Sequence, residues 1–300
     1  MSRWTPADIP DLSGRTALVT GANSGLGFWT SVELARKGAR VLMACRNPER
    51  ASDALTRLGE HVPQGNAELL ALDLASLASI ERAAGEVATR VEALDLLVNN
   101  AGIMAVGEGR TEDGFELQLG TNHLGHFALT GRVLPLLLKG ADSRVVTVSS
   151  YAHKMGKIDF EDLMGAEGYR RWRAYGQSKL ANLLFTHELD RRAHGRLTAV
   201  AAHPGYAATH LQQGQGQKHF EKLMSLGNKV FAQSDVQGAW PSLRAATDPD
   251  VRGNEYYGPH FFELRGHPVR TGRTRHASSS ETATRLWDVS EKLTGVHYDL

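Results

Sequence analysis

Short apolar runs alternate with longer amphipathic segments along most of the chain. The runs have the length of strands and are continuously hydrophobic, as in strands that are buried on both faces of a parallel sheet. The alternation predicts an α/β fold: a doubly wound parallel sheet with helices on both faces, formed as a single domain over residues 1–300. The predicted strands are "TALVT" at 16–20, "ARVLMAC" at 39–45, "AELLALDL" at 67–74, "LDLLVNNAG" at 94–102, "SRVVTVSS" at 143–150 and "LTAVAAHPG" at 197–205.

The segments between these strands repeat their apolar positions at helical spacing and carry helix boundary signals. Ser76 is suited to cap the start of a helix, and Gly295 to end the last one. A long helical region is expected over 115–139, and another helix from Ala174 to His194. Because ligands of such sheets bind where parallel strands end, we look for functional residues at the carboxyl ends of the strands.

Two segments interrupt the alternation. Residues 206–235 begin as a Gly/Gln-rich loop and become amphipathic, and residues 252–280 are rich in glycine, proline and aromatic residues. We interpret both as elaborations that cover the substrate at the open end of the sheet, the first as a lid. The alternative is that both are variable surface loops.

Composition narrows the function classes. The 34 basic and 33 acidic side chains nearly balance, so the charge gives no reason to expect a nucleic-acid partner. A single cysteine, Cys45, excludes an intrachain disulfide and is typical of a reducing, cytoplasmic compartment. The 13 histidines are scattered without metal-ligand spacing, so we expect no metal site.

A membrane-spanning segment is not expected either. The N-terminal stretch "MSRWTPADIPDLSGR" is polar and interrupted by prolines, unlike a signal peptide or an anchor. No later apolar run reaches the roughly 20 residues that a transmembrane helix needs.

A glycine-rich turn follows the first predicted strand. In "TGANSGLG", Thr20 to Gly27, the glycines at 21, 25 and 27 allow a sharp turn and a close approach of the backbone to a diphosphate at the next helix N-terminus. Their spacing is G-x-x-x-G-x-G, which differs from the common G-x-G-x-x-G fingerprint. The strand, turn and helix around it nevertheless form the context of a dinucleotide site.

The end of the second strand bears on which dinucleotide binds. An acidic side chain at this position usually holds the ribose 2′-hydroxyl of NAD. Here the strand ends at Cys45 and is followed by Arg46, whose positive charge would attract a 2′-phosphate. We therefore expect NADP(H), with NAD(H) less favoured. The alternative is an ordinary solvated arginine, which would leave the preference open.

The helix "RAYGQSKLANLLFTHEL" carries a tyrosine and a lysine four residues apart, Tyr175 and Lys179. This spacing aims both side chains at the same side of a helix. Taken alone, the pair can be a tyrosine ring packed on a lysine stem.

An ordered set of motifs resembles the short-chain dehydrogenase/reductase family. The set is "TGANSGLG", Asp73–Leu74, "NNAG" at 99–102, Asn122, the serines 149 and 150, "YGQSK" and "HPG" at 203–205, spread from about residue 14 to 210. More narrowly, "VSSYAHKMGKIDFEDL" followed by "YGQSKLANLLFTHEL" is similar to the branch of retinol dehydrogenases and WW-domain oxidoreductases.

The resemblance implies a Rossmann fold and a role for each matching residue. The catalytic group would be Asn122, Ser150, Tyr175 and Lys179, with Ser149 as the alternative serine. The cofactor-binding residues would be Gly21, Asn23, Ser24, Gly25, Leu26 and Gly27 in the turn, Arg46, Asp73 and Leu74 beside the adenine, Asn100, Ala101 and Gly102 on the adenosine ribose side, Tyr175 and Lys179, and Pro204, Gly205 and Thr209 at the nicotinamide.

The implied reaction interconverts an alcohol and a carbonyl by hydride transfer. Tyr175 would exchange the proton, Ser150 would donate a hydrogen bond to the reacting oxygen, and Lys179 together with an oxidised nicotinamide would lower the pKa of the tyrosine. A local backbone distortion at Asn122 would hold a water for a proton relay to the lysine. A small lipophilic alcohol, aldehyde or ketone is the expected substrate.

Two other functions occur on related folds. A sensor or scaffold that binds NADP(H) without turnover would not need Ser150, Tyr175 and Lys179 together. A sugar-nucleotide epimerase would need a larger C-terminal substrate domain than the roughly 90 residues after "HPG". The apolar face of "LANLLFTHEL" is compatible with a homo-oligomer, but a face buried within one subunit has the same pattern.

Overall fold

The computed structural model describes residues 3–205 and 234–300, which form a twisted eight-stranded sheet covered by helices. The sheet has the strand order β3-β2-β1-β4-β5-β6-β7-β8, and β8 alone runs antiparallel to its neighbour. The strands are β1 Thr16–Thr20, β2 Arg40–Cys45, β3 Ala67–Ala71, β4 Leu96–Asn99, β5 Arg144–Val148, β6 Thr198–Ala202, β7 Tyr256–Phe261 and β8 Arg265–Arg270. The predicted doubly wound α/β fold is confirmed.

The helices lie on both faces of this sheet. They are α1 Gly25–Arg36, α2 Pro48–His61, α3 Leu77–Arg90, α4 Leu117–Leu119, α5 Gly125–Leu137, α6 Arg171–Ala193, α7 Asp235–Thr247 and α8 Ser280–Thr294. One hydrophobic core joins α1, α2 and α7 to one face of the sheet, and a second joins α3, α5 and α6 to the other. Burial of these apolar faces is the main stabilising contribution to such a domain.

Strand β1 occupies the position at which the strand order reverses. Leu18 of β1 pairs with Leu42 of β2 on one side and with Leu97 of β4 on the other. The connections that leave β1 and β4 diverge to opposite faces, which opens a crevice at their carboxyl ends. The glycine-rich turn after β1 lies at this crevice, where we predicted the dinucleotide site.

The helical region predicted over 115–139 is not a continuous α-helix. A π-helical turn, Gly120–Leu124, separates α4 from α5 and contains Asn122. A Cβ atom at Gly125 would lie 2.4 Å from the carbonyl oxygen of Leu74, so only glycine permits this approach of α5 to the chain after β3. The resemblance implied a local distortion at Asn122, and the π turn is such a distortion.

Most predicted boundaries agree with the structure within three residues. Strand β3 ends at Ala71, three residues before the predicted end at Leu74, and α6 starts three residues earlier than predicted. The helix at 280–294 ends at Gly295, which adopts a left-handed conformation with φ +66°. The apolar face of α6 is buried within the subunit, against the sheet and α8.

The segment 252–280 contains two strands of the sheet, β7 and β8, which the sequence analysis did not predict. Gly258 and Pro259 interrupt the apolar pattern of β7, and this combination is typical of loops. Both residues are accommodated because β7 lies near the edge of the sheet. Tyr256 and Tyr257 are buried core residues, whereas Phe262, in the turn that follows, is exposed. The covering role of this segment stays a prediction.

Most of the predicted lid, 206–233, lies outside the described residues. Helix α7 follows it and packs against α1. Among the residues that the structure describes, no helix has both the length and the hydropathy needed to cross a bilayer.

Gly125→Ala should lower the free energy of unfolding by about 1–3 kcal/mol, because the added methyl group overlaps the backbone of Leu74. The matched control is Gly85→Ala in α3, where nothing lies within 4 Å of the new Cβ atom. That control should raise stability by about 0.5–1 kcal/mol, the usual gain from replacing glycine inside a helix. Urea unfolding curves of both variants measure the difference, and equal effects would contradict the close approach.

Candidate active site

A cleft of about 340 Å³ opens at the carboxyl ends of β1, β2 and β4. Twelve of the predicted cofactor-binding residues line it: Gly21, Asn23, Ser24, Gly25, Leu26, Gly27, Arg46, Asp73, Leu74, Asn100, Ala101 and Gly102. These residues come from four separate stretches of the chain, which only the parallel sheet brings together.

The glycine-rich turn is shaped by close backbone contacts. Gly21 and Gly25 have positive φ angles of 66° and 53°. A Cβ atom at Gly27 would lie 2.4 Å from the Gly21 carbonyl oxygen and 2.5 Å from Nδ2 of Asn100. Ser24, the N-cap of α1, makes no side-chain capping bond, so the N–H groups at the start of α1 are available to an anion in the cleft.

Two arginines lie where β2 ends. Arg46 is 73% exposed, and its Nη1 is 4.0 Å from Oδ2 of Asp73. Arg50 lines the same cleft and is fixed near the start of α2, where the Asn47 side chain accepts a hydrogen bond from its backbone N–H. Burial raises the pKa of Cys45 to about 11, so this thiol brings no negative charge to the strand end. This end of the cleft therefore favours an anionic group.

Asn122 is fully buried in the π turn and is held by the loop after β4. Its Oδ1 accepts a hydrogen bond of 2.8 Å from the Ile103 N–H. Its Nδ2 donates to the Ile103 carbonyl and to Oγ of Ser178, both at 2.9 Å. Gly102 is close by, since a Cβ atom there would lie 3.1 Å from Oδ1 of Asn122 and 3.4 Å from Nζ of Lys179. The amide side chain thus ties the edge of the cleft to α6.

Tyr175 and Lys179 lie on the same buried side of α6. The Lys179 ammonium is 5.8 Å from the centre of the Tyr175 ring and donates a 3.1 Å hydrogen bond to the Val148 carbonyl at the end of β5. Burial lowers the pKa of Lys179 to about 8. The spacing of four residues therefore brings together two titratable groups rather than a ring packed on an exposed stem.

The pKa of Tyr175 is raised above that of a free tyrosine, because burial disfavours the phenolate. A hydrogen bond from the Ser150 hydroxyl lowers it in part. Desolvation of the ring is the larger effect. The prediction that Lys179 together with an oxidised nicotinamide lowers this pKa concerns the complex with cofactor and stays a prediction.

The two adjacent serines have different partners. The Ser149 hydroxyl is buried and donates a 2.7 Å hydrogen bond to the Lys179 carbonyl, so it is engaged with the α6 backbone. Ser150 accepts a hydrogen bond from the Ala152 N–H as the cap of the 3₁₀ turn Tyr151–Met155. Its hydroxyl is close enough to Tyr175 to lower the pKa of that phenol.

A sequence model of the short chain dehydrogenase family matches residues 15–219. This protein belongs to the short-chain dehydrogenase family. Members of this family are oxidoreductases that interconvert alcohols and carbonyls with a nicotinamide cofactor, and this chain is such an oxidoreductase.

Named relatives lie in the expected branch of the short-chain dehydrogenases. Retinol dehydrogenase 14 of Mus musculus is 40% identical over 302 residues, which cover 95% of this chain and 87% of that protein. Retinol dehydrogenase 13 of Homo sapiens is 39% identical over 97% of this chain and 86% of its own length. The resemblance to the retinol dehydrogenase branch is thereby confirmed.

Two solved structures are similar to this chain. A crystal structure of an uncharacterized protein from Mycobacterium paratuberculosis is 44% identical, has a TM-score of 0.82 and is covered over 100% of both chains. The RhlG/NADP active-site complex of Pseudomonas aeruginosa is 26% identical with a TM-score of 0.66, over 82% of this chain and 94% of that one.

The remaining predicted residues of this short-chain dehydrogenase follow β6. Gly205 has a φ of +69° and donates its N–H to Nδ1 of His203 at 3.2 Å, and a Cβ atom there would lie 2.3 Å from the Leu264 carbonyl oxygen. Pro204 precedes it, and Thr209 lies outside the described residues. Within residues 3–205 and 234–300, no three His, Cys, Asp or Glu side chains group as metal ligands.

Several residues of the cleft were missed from the sequence: Thr20, Ala44, Asn47, Arg50, Leu72, Ile103 and Thr121. A signal existed for Arg50, because Asn47 and Pro48 mark a helix start and place position 50 in its first turn. The others lie one or two positions from predicted residues.

Proposed function

We propose that this protein is an NADP(H)-dependent reductase or dehydrogenase of small lipophilic carbonyls and alcohols, in which Asn122, Ser150, Tyr175 and Lys179 are the catalytic group. The observation that carries the proposal is the buried pair on α6: the Lys179 ammonium lies 5.8 Å from the centre of the Tyr175 ring and is bound to the Val148 carbonyl, two residues before Ser150. The pattern is that of an acid–base side chain with a second donor and a nearby cation.

The cleft fits a dinucleotide on three counts. The turn offers three glycines that allow a close approach to its backbone, α1 offers backbone N–H groups, and Arg46 with Arg50 offers two cations at the β2 end. We assign the diphosphate to the turn 21–27 and a 2′-phosphate to the two arginines. Asp73 and Leu74 would flank the adenine, and Asn100 to Gly102 the adenosine ribose, while Tyr175, Lys179, Pro204, Gly205 and Thr209 would lie on the nicotinamide side.

The reduced cofactor supplies the hydride for the carbonyl carbon when it is bound. Tyr175 donates its proton to the carbonyl oxygen, and Ser150 donates a hydrogen bond to that oxygen as negative charge develops. The raised pKa of Tyr175 keeps the ring in the phenol form, which is the form that donates. In the oxidative direction the phenolate accepts the proton, and the charge of Lys179 favours that form.

Lys179 can also bind the nicotinamide ribose with its remaining N–H groups. Its pKa of about 8 means that it is charged at neutral pH and loses its charge in mild alkali. The Asn122 side chain binds Ile103, which lines the cleft, and Ser178, which precedes Lys179 in the chain. We infer that it thereby holds both the cofactor cleft and the lysine in place.

A lipophilic substrate is supported by the retinol dehydrogenase relatives and by apolar groups around the catalytic residues. The Trp172 ring meets the Tyr175 ring edge-on, at 6.1 Å between centres. Tyr151 and Met155, on the turn that follows Ser150, are 49% and 65% exposed. We keep a cytoplasmic location and a homo-oligomeric state as predictions.

The first test is fluorescence titration of the protein with NADPH and NADH. A panel of aldehydes and ketones follows, with turnover measured as NADPH consumption.

Tyr175→Phe should keep NADPH affinity and lose about 10²- to 10⁴-fold in kcat, because the proton donor is removed. Tyr151→Phe is the matched control and should retain turnover. Tight binding by the wild type without turnover of any carbonyl would favour the cofactor sensor, and full activity of Tyr175→Phe would remove this residue from the mechanism.

Ser150→Ala should lower kcat by about 10²- to 10³-fold, the usual loss when a donor to a developing oxyanion is removed. Ser149→Ala is its neighbour and control. That variant should lose about 0.5–1.5 kcal/mol of stability through its bond to the Lys179 carbonyl, with kcat changed only a few-fold. The reverse order of the two kcat values would assign the catalytic role to Ser149.

Arg46→Asp should weaken NADPH binding by about 10- to 100-fold and change NADH binding little, because a charge-assisted contact to the 2′-phosphate is replaced by repulsion. Arg50→Asp tests the second cation in the same way. Arg82→Asp, an exposed position on α3 away from the cleft, controls for the change in net charge. An unchanged ratio of NADPH to NADH affinity in the Arg46/Arg50 double variant would refute the assignment.

A further inference from the structure

The buried ring of His126 contacts two parts of the site at once. The residue lies at the start of α5 and is 1% exposed. Its Nδ1 is 3.0 Å from the backbone carbonyl oxygen of Asn122, and its Nε2 is 2.9 Å from Oγ1 of Thr20. Neither the sequence motifs nor the proposed mechanism gives this histidine a role.

The hydrogen-bond partners determine which nitrogen of His126 carries the proton. The Asn122 carbonyl can only accept, so the hydrogen lies on Nδ1. Nε2 is then an acceptor, and the Thr20 hydroxyl donates to it. The alternative acceptor for that hydroxyl, the Val98 carbonyl, is 3.4 Å away, a longer and weaker contact.

Thr20 also serves the loop after β4. Its Oγ1 accepts the backbone N–H groups of Asn100 and Ala101, each at 2.9 Å. Both lone pairs of the oxygen are therefore occupied. A proton on Nε2 of His126 would present a third donor to this oxygen, so the arrangement requires the neutral ring. Burial, together with the nearby charge of Lys179, lowers the pKa of His126 to about 4, which keeps the ring neutral at physiological pH.

The ring thus connects the wall of the cleft with the π turn. Thr20, Asn100 and Ala101 line the cleft, while Asn122 holds Ile103 and Ser178 through its side chain. In the π turn backbone hydrogen bonds run between residues five apart, and the His126 side chain supplies the Asn122 carbonyl with an additional donor.

We propose that His126 is a positioning residue: as the neutral Nδ1–H tautomer it fixes the Asn122 carbonyl, and with it the π turn that carries the catalytic Asn122, and it fixes the Thr20–Asn100–Ala101 corner for cofactor binding. This inference rests on the proposed function, in which Asn122 belongs to the catalytic group. Each ring nitrogen has its own consequence, since Nδ1 acts on turnover and Nε2 acts on cofactor affinity.

Three substitutions separate the two nitrogens. His126→Phe keeps the ring shape and removes both. His126→Asn offers an amide N–H near the Nδ1 position, and His126→Gln offers an amide oxygen near the Nε2 position. Calorimetric Kd values for NADPH and for NADH, and kcat with a carbonyl that the wild type reduces, are measured for all three.

His126→Phe should weaken NADPH binding about tenfold and lower kcat by at least about tenfold, which is the effect of losing a buried hydrogen bond on each side. His126→Asn should recover most of kcat but not the affinity. His126→Gln should recover most of the affinity but not kcat. His123→Gln is the control, because His123 is also buried in the π turn but bonds to Ser290, on the far side from the cleft.

Thermal unfolding of every variant separates positioning from packing. The proposal would be overturned if the Asn and Gln variants lost affinity and kcat to the same extent, in proportion to the fall in their unfolding temperatures. It would also be overturned if His126→Phe kept the wild-type Kd and kcat. If His126→Phe does not fold, the opposite recoveries of the Asn and Gln variants decide alone. A wild type without carbonyl turnover would refute the proposed function, and the inference would then be decided by cofactor affinity, which Gln and not Asn has to restore.

Discussion

Polar side chains that are buried at the carboxyl edge of a parallel sheet have to be paired by the protein, since water does not reach them. Asn122 shows the consequence most clearly. Its side chain is fully buried, and both ends of its amide bind the backbone of Ile103. Asn122 lies in the π turn, and from this position its amide reaches the loop after β4. The distortion of the helix is therefore part of the pairing, and the rest of the site depends on it.

The same edge explains where glycine is required. Gly27, Gly102 and Gly125 each face a backbone or a functional side chain at a distance that a Cβ atom would occupy. Gly27 lets α1 start against the turn, and Gly102 leaves room between Asn122 and Lys179. Gly125 lets α5 approach the chain that follows β3. Each of these three glycines thus permits one close approach. Only Gly27 belongs to the glycine-rich turn, so the turn motif alone does not identify the other two.

The sequence predicted the fold and most of the cleft, because these depend on local patterns. Buried parallel strands are continuously apolar, and the residues that follow them converge by topology alone. Strand β7 was not predicted, because Gly258 and Pro259 are typical of loops and are tolerated in a strand only near the edge of a sheet. The sequence does not show that β7 lies near that edge, between β6 and β8. His126 was missed because its partner Thr20 is distant in sequence. Arg50 was missed although the helix start at Asn47 and Pro48 places it beside the end of β2. The sequence also gives no measure of the desolvation that raises the pKa of Tyr175, since desolvation is a property of the folded surroundings.

Desolvation also acts in opposite directions on the two groups that α6 brings together. It disfavours the phenolate of Tyr175 and the ammonium of Lys179, so the first pKa rises and the second falls to about 8. Tyr175 therefore remains a proton donor at neutral pH, whereas the pKa of Lys179 lies close to neutral pH. The Lys179 ammonium donates to the Val148 carbonyl, and among residues 3–205 and 234–300 it forms no ion pair with a carboxylate. In the proposed function, its charge is therefore sensitive to a charged group that enters the neighbouring cleft.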